Sequence, residues 1–577
     1  MRPARLLLCL ASAILLAHAG PLLAQEAQSV ALSGVVHSLE EGWMEGVVVT
    51  ARREGAPFTV SVVSDDQGRY RFPRTHVEPG AYDLSIRAAG YDLGSPGRVA
   101  VTATAPVTLD LELLETADLA SQLSSREWLM SMPGTIAQKD QLAYQVVSCA
   151  YCHTYERIVK SRHTAEAFVP VITRMQTYFG DGTAVSRSGR GRGQRNEHPE
   201  LAAENPNWGS APKTELAAYL ATVNLSAGGR DWPYELKTLP RPTGRATRVI
   251  ITQYDLPRPG TVPHDMTIDS TGTPWFPDQS RMFIGKLDPR TGVSTEYPLP
   301  PLPTGRVGGV ADMQVDLDDN VWFTMTVPER ASHFGFPTKF DPDTEEITVV
   351  PIPSDGSGRF GDGSAQFLDL APDGRLWMNS GVDFYRVDPG TMTADLHLNA
   401  TPPDLPGQSS QGLRHFVYQM VVDSQGVPYG TDFPVSTIVR ADPETGEVRY
   451  WPTLTPNAVP RRGRMDARDR FWFAEYFGDA IGMFDTRTEE MHEYPMPRKW
   501  TTPYTASAPD KDGYVYSPSN MSERLMRLDP ASGEVIEYQM PTDFDTKKIL
   551  HDPSTDRTTL WMANTRNARL VRVEPLD

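Results

Sequence analysis

The pattern of hydrophobic and polar positions changes twice along the chain. From residue 29 to 115 apolar and polar residues alternate in short runs, VALSGVVHS, GVVVTARR, FTVSVVSD, GRYRFPR, AYDLSIRAAGY and VTLDLELL, the period of half-buried strands. Turn formers at Asp65-Asp66-Gln67-Gly68 and Glu78-Pro79-Gly80 separate these runs, which predicts a small antiparallel β-sandwich. From 118 to 226 the period becomes helical, in LASQLSSREWLMS, DQLAYQVVSCAYCHTYERIVKS, AEAFVPVITRMQTYF and KTELAAYLATVNL. In the last of these Leu216, Tyr219, Leu220 and Val223 fall on one helix face. The stretch SRSGRGRGQRNEHPELAAENPNW before it is a loop by composition. A Pro-rich stretch over 227–245, containing WPYELKTLPRPTG, reads as a stiff linker.

Residues 246–577 carry a repeat. An aromatic residue closing a short strand recurs at Trp275, Trp322, Trp377, Tyr429, Trp472, Tyr516 and Trp561, at intervals of 43 to 55 residues. After each of the first six comes a tight turn opened by Asp288, Asp341, Asp388, Asp442, Asp485 or Asp529, and then an outer strand ending in forms such as STEYPLP or HEYPMP. Four short strands per repeat and seven repeats predict a seven-bladed β-propeller. The seventh repeat stops at VRVEPLD, one strand short, while VIITQYDLP at Val249–Pro257 carries the same ending at the front. That N-terminal strand is expected to complete the last blade and close the ring, removing two exposed sheet edges.

Composition narrows the class. The expectation is a multidomain, mainly β protein: 39% of residues are hydrophobic, 22% are charged, and 50 prolines and 45 glycines suit many short strands and turns. A net charge of −18 argues against a nucleic-acid binder. Residues 1–24 read as a cleaved signal peptide, with Arg2 and Arg5 ahead of LLLCLASAILLA, and no later stretch is apolar enough for a membrane span. The expected location is the periplasm or outside the cell.

Of the three cysteines, Cys9 lies in that signal, which leaves Cys149 and Cys152 directly before His153. Thiols at i and i+3 can add to the two vinyl groups of a haem while the adjacent imidazole ligates the iron. A zinc site would need a second ligand pair, a thioredoxin-like pair should follow a strand, and a plain disulfide leaves the histidine unexplained. The motif therefore predicts covalent haem c on Cys149 and Cys152, with His153 as the proximal iron ligand.

Three family resemblances add to this reading. The segment SDDQGRYRFPRTHVEPGAYDLSIRAAGY, with SGVV ahead of it, resembles carboxypeptidase regulatory-like domains of the transthyretin-like sandwich type; such domains act as spacers or adhesion modules and are sometimes classed with carbohydrate-binding-like folds. Residues 118–226, with CAYCH and the closing helix ELAAYLATVN, resemble a small all-α class I cytochrome c domain. The sixth iron position stays open between Met175, His163, His198 and no protein ligand.

The repeats PHDMTIDSTGTPWF and RFWFAEYFGDAIGMFD with EYPMP resemble the streptogramin (virginiamycin B) lyase propeller family. That resemblance implies a magnesium-assisted elimination, with a histidine base and acidic residues gathered at the central channel. The positions that match are His264 in the PHDMT slot, Asp278 fourteen residues later and Glu475 in the WFAE slot. Gln366, Tyr418, Arg461 and Lys547 hold comparable places in other blades, and Asp432 holds the acidic slot of the fourth. The second histidine of a working lyase has no counterpart at these positions.

The expected function is that of an exported c-type haem protein for electron transfer, whose propeller binds a small-molecule ligand or a periplasmic redox partner. One alternative is a carbon–oxygen lyase using Mg2+ in the propeller, with the haem domain accessory. Another is a surface module binding carbohydrate or protein.

Overall fold

The computed structural model describes residues 30–144, 150, 153–175, 213–228, 232–279, 281–301, 309–326, 335–350, 367–401 and 415–577. The signal segment, Cys149, Cys152, His198, Gln366 and the arginine-rich loop lie outside these residues. They divide into two compact units: one holds the chain up to Ala117 with Pro240–Gln253 and Pro575–Asp577, the other Asp118–Leu239 with Tyr254–Glu574.

In the first unit, Val30–Ser38 pairs with Gly42–Trp43 and Arg69–Pro73 antiparallel and with Leu111–Glu115 parallel. A second sheet sets Val48–Arg53 between Phe58–Val63 and Gly80–Arg87, with Gly97–Val101 beyond. The alternation read from the sequence is the alternation of burial: Tyr70 and Phe72 point into the core while Arg69 and Arg71 are exposed. Leu32, Val36, Val49, Val60, Leu84 and Leu113 complete that core between the sheets. The turn at Asp65 forms because its Oδ1 accepts the backbone N–H of Gln67 and Arg69, and Gly68 adopts φ 71°.

The second unit begins with helices. Ser125–Ser131 and Ile136–Ala143 are each started by a reciprocal capping box, Ser124 with Glu127 and Thr135 with Gln138. Glu156–Val159, Ala165–Met175 and Lys213–Val223 follow. Leu216, Tyr219, Leu220 and Val223 are all buried, as their spacing requires. The helix expected to run on through the cysteine motif instead ends at Ala143, and Tyr144 at its C-cap takes φ −100°, ψ 64°. Its ring turns to Asp479, with the hydroxyl 2.5 Å from Oδ2.

Six small antiparallel sheets follow, five of four strands and one of three, and after them Ile549–His551, Leu560–Asn564 and Arg569–Pro575 pair antiparallel, a propeller-like arrangement. Trp275, Trp322, Trp377, Tyr429 and Trp472 sit on the second strand of the four-stranded sheets, Tyr516 on the first strand of the three-stranded one and Trp561 on Leu560–Asn564, and the repeat has a physical basis. The indole N–H of Trp275, Trp322, Trp472 and Trp561 donates to the carboxylate of Asp269, Asp316, Asp466 and Asp552 at 2.8 to 3.0 Å. The other oxygen of each carboxylate accepts backbone N–H groups of the turn, as Asp466 Oδ1 does from Arg468 and Arg470. The second marker works alone: Asp288, Asp341, Asp388, Asp442, Asp485 and Asp529 each accept the N–H two residues on.

The first residues of the second unit's propeller segment, from Tyr254, lie against its last strand. Leu256 donates its N–H to the Ala568 carbonyl at 2.9 Å, Arg569 meets Asp255 at 2.6 Å, and Tyr254 stacks on Trp561 with centroids 5.5 Å apart. Across the middle, Arg462 of the fifth blade meets Asp265 of the first at 2.7 Å, and Lys548 of the seventh meets Asp312 of the second at 3.1 Å. No helix among the described residues is long and apolar enough to cross a membrane.

Candidate functional site

In an antiparallel blade the start of the inner strand and the end of the second strand lie at the same edge. His264 precedes the inner strand of the first blade, Asp278 and Asp432 end the second strands of the first and fourth, and Glu475 ends that of the fifth. They therefore share one face of the ring. On that same face, the loops after second strands carry Asp479, Asn520 and Arg566, and the connections into inner strands carry Trp500 and Asp543.

The helices dock on this face. Arg126 donates its N–H to the Met521 carbonyl and its Nε–H to the Lys499 carbonyl, both at 2.8 Å. Trp500 donates its indole N–H to Asp140 at 2.7 Å, and Lys499 Nζ pairs with Asp140 at 3.0 Å. Asp479 accepts from the backbone N–H groups of Trp500 and Thr502 and from the Tyr144 hydroxyl. Asp479, Trp500 and Thr502 all have φ between 46° and 60°, a left-handed strain that this carboxylate holds in place. Burial pushes the Asp479 pKa up, against the pull of these hydrogen bonds. Trp500 and Met521 enter one core with Trp128, Leu142, Tyr155, Phe168 and Leu220 of the helices.

One residue of the cysteine segment, Ala150, belongs to this contact. Ala150, between the two cysteines, is buried, and its carbonyl accepts a hydrogen bond from Arg566 Nη2. His153 is half-buried, with Nδ1 2.8 Å from the Thr154 carbonyl. Donation of the Nδ1–H to that carbonyl leaves the lone pair on Nε2, the arrangement a ligating histidine needs. Burial lowers the His153 pKa, Arg157 and Arg566 press the same way, and the Thr154 hydrogen bond and Asp543 oppose them, so the neutral ring is favoured. Of the three motif residues only His153 is among the described residues; Cys149 and Cys152 lie outside them. Among the candidates for the sixth position, His163 is exposed, its ring 5.3 Å from Phe168, and Met175 is the last residue of its helix.

The propeller residues do not assemble as the lyase resemblance implies. His264 is fully buried, and its acidic partner is the adjacent Asp265, 2.8 Å from Nδ1. Burial alone would raise the Asp265 pKa, but Arg462 and His264 hold it well below the usual carboxylate range. Asp278 instead accepts from Arg258 at 3.3 Å and from the Val262 N–H at 3.3 Å. Asp432 makes the same kind of backbone bond to Phe416 N–H at 2.9 Å and meets His415 Nδ1 at 2.6 Å. Glu475 does neither: it is fully buried and neither carboxyl oxygen has a hydrogen-bond partner among the described residues. Burial first, then the Glu493 carboxylate, push its pKa up to about 9.

Arg461 lies over the rings of Tyr476 and Tyr504, 3.9 and 4.7 Å from their centroids, and Tyr418 bonds Tyr504 hydroxyl to hydroxyl. Lys547 is held by Asp545 at 2.7 Å. No group of three or more His, Cys, Asp or Glu side chains among the described residues is placed to hold a metal ion. Asp265 and Asp312, the central carboxylates, are matched by Arg462 and Lys548, so this donor set does not fit Mg2+. Sequence reasoning missed His415 and Arg566. His415 stands three residues before Tyr418, outside the matched slot, and Arg566 in NTRNARL carries no local signal because its partner is 416 residues away.

Comparison with known proteins places residues 31–114 in the carboxypeptidase regulatory-like domain family. No curated protein matches the chain. Among solved structures, the chain is similar to virginiamycin B lyase from Staphylococcus aureus, with 18% identity and a TM-score of 0.45, covering 56% of this chain and 99% of that one. It is likewise similar to a streptogramin B lyase, with 20% identity and a TM-score of 0.46 over 57% of this chain and 99% of that one. The likeness is one of fold alone. The haem reading of 118–226 rests on its motif and on the surroundings of His153.

Proposed function

We propose that this is an exported, periplasmic c-type haem protein for electron transfer, and that its propeller holds a small-molecule ligand or redox partner close to the haem loop. The observation that carries the reading is the C-x-x-C-H motif whose histidine is neutral, oriented through Nδ1 to the Thr154 carbonyl, and docked on the propeller face that the channel residues share. Cys149 and Cys152 would hold the haem by thioether bonds and His153 would ligate the iron, with the sixth position among Met175, His163 and His198. When bound, haem supplies a one-electron couple. The chain supplies the rest: Tyr155 donates its hydroxyl to the Leu142 carbonyl and Trp232 its indole N–H to the Val159 carbonyl, fixing the helices on both sides of the loop.

The test is the absorption spectrum of the matured protein. A reduced-minus-oxidised haem signal that survives acid extraction, and that is lost in Cys149→Ser while the helical content stays, supports the reading; a colourless wild-type protein matured in a host with haem-attachment machinery ends it. The lyase alternative has less in its favour, since the channel carboxylates are already neutralised and His264 is paired away from Asp278. Elimination of a cyclic depsipeptide that needs Mg2+ and disappears in His264→Ala would revive it.

A further inference from the structure

The first unit carries an exposed apolar face. In the sheet built on Val30–Ser38, alternation sends Val36 and Ser38 into the core and His37 to the opposite side. Register sets two side chains beside His37 on that outer face, Trp43 on one flank and Glu112 on the other. Leu114 follows two residues after Glu112, and Leu39 stands just past the end of Val30–Ser38. Trp43, Leu39 and Leu114 are 62%, 81% and 47% exposed, three of the eight large apolar side chains left exposed among the described residues. The Trp43 ring is buttressed by the His37 ring, edge to face with centroids 5.8 Å apart. A braced, exposed indole among leucines has the composition of an interface centre. The charges around it are divided. On the Trp43 flank, Arg69 and Arg71 pair with Val35 and Ser33 on the outer face, and both are exposed. On the other flank are Glu112 and, paired with Leu114, Asp92, also exposed. Arg69, Arg71 and Glu112 form no ion pair among the described residues.

We propose that this sheet face is the interface of a two-fold symmetric homodimer, closed by Trp43, Leu39 and Leu114 and kept in register by Arg69 and Arg71 against the partner's Glu112 and Asp92. The physical basis is self-complementarity. The face is basic on one flank and acidic on the other, with apolar side chains spread between them. A two-fold axis in the plane of contact, parallel to the strands, lays the basic flank of each copy over the acidic flank of the other and sets the apolar side chains of both together. A surface of one charge sign would match only one flank and repel the other. The dimer concerns the first unit alone and stands whether or not the protein carries haem.

The experiment is sedimentation equilibrium of the full-length protein over a range of concentrations, with thermal unfolding of every variant run in parallel. The wild-type protein is expected to form a dimer, and Trp43→Ser to weaken association about tenfold or more. Arg69→Glu and Glu112→Arg are each expected to weaken it as well. The two combined are expected to recover much of that loss, because each reversed charge again meets its opposite across the two-fold axis. A wild-type protein that stays monomeric at every concentration overturns the proposal, and if its Trp43 fluorescence then responds to an added protein or glycan the face belongs to that other occupant. A dimer indifferent to Trp43→Ser and to both single charge reversals also overturns it, since that dimer uses another surface. If Trp43→Ser does not fold, the charge reversals at exposed positions and their combination decide.

Discussion

Glu475 stands where two other blades use an aspartate, and one methylene separates their fates. Asp278 and Asp432 reach back to a backbone N–H in the connection that leads into their own inner strand, a structural duty that explains an acid at that edge without catalysis. The Glu475 carboxyl overshoots and comes to rest against Gly478, where an added Cβ would fall 2.8 Å from Oε2. With its pKa raised from 4.5 to about 9, the folded protein holds a proton there that the unfolded chain releases. Stability therefore declines as pH rises through that interval, by at most about 1.4 kcal/mol per pH unit. Glu475→Gln, which mimics the neutral acid, is expected to match wild type near pH 4.5 and to be progressively more stable toward pH 9. Denaturant unfolding of both proteins at several pH values checks this; parallel pH profiles would show that the carboxyl is ionised or solvated in the folded state.

At the scale of elements, the blade turn is the unit that makes the propeller readable. Asp466 binds two turn N–H groups through one oxygen and the Trp472 indole and Arg470 through the other. Trp472→Phe keeps the ring but strips one donor from a half-buried carboxylate, and a loss of about 1–2 kcal/mol is expected in denaturant unfolding; no change would mean that the aromatic recurs for packing alone. Because several repeats use this local chemistry, the repeat itself was legible from residues about six apart, and the sandwich turns were legible for the same reason. The site was legible only in part. Cys149, Cys152 and His153 form a local pattern, whereas the contact that anchors their loop joins Ala150 to Arg566, and the ionic centre joins Asp265 to Arg462, 197 residues apart. A pairing set by tertiary folding leaves no spacing to read. His264 shows the reverse: its slot matched a family motif, but the neighbouring Asp265, drawn to Arg462, took up its ring nitrogen.

At the scale of the second unit, the helices and the propeller are one cooperative structure. Trp500 is 6% exposed, packs into the helical core and donates to Asp140, while its backbone N–H is held by Asp479. Met521 is fully buried in that core, and its carbonyl accepts the N–H of Arg126. Separating the two parts would expose both apolar side chains and orphan these polar groups together, so neither part has a low-energy way to open alone. Calorimetry is expected to show helices and propeller melting in one transition. Trp500→Ala should destabilise that transition by about 3–5 kcal/mol through the cavity and the lost hydrogen bond. The same change also removes the wedge that seats the helices on either side of the cysteine segment. In a haem-loaded protein the spectrum at the iron should therefore become sensitive to temperature below the main transition. Two separate transitions in the wild-type protein, with Trp500→Ala affecting only one, would mean that the helical segment rests on the propeller as an independent body.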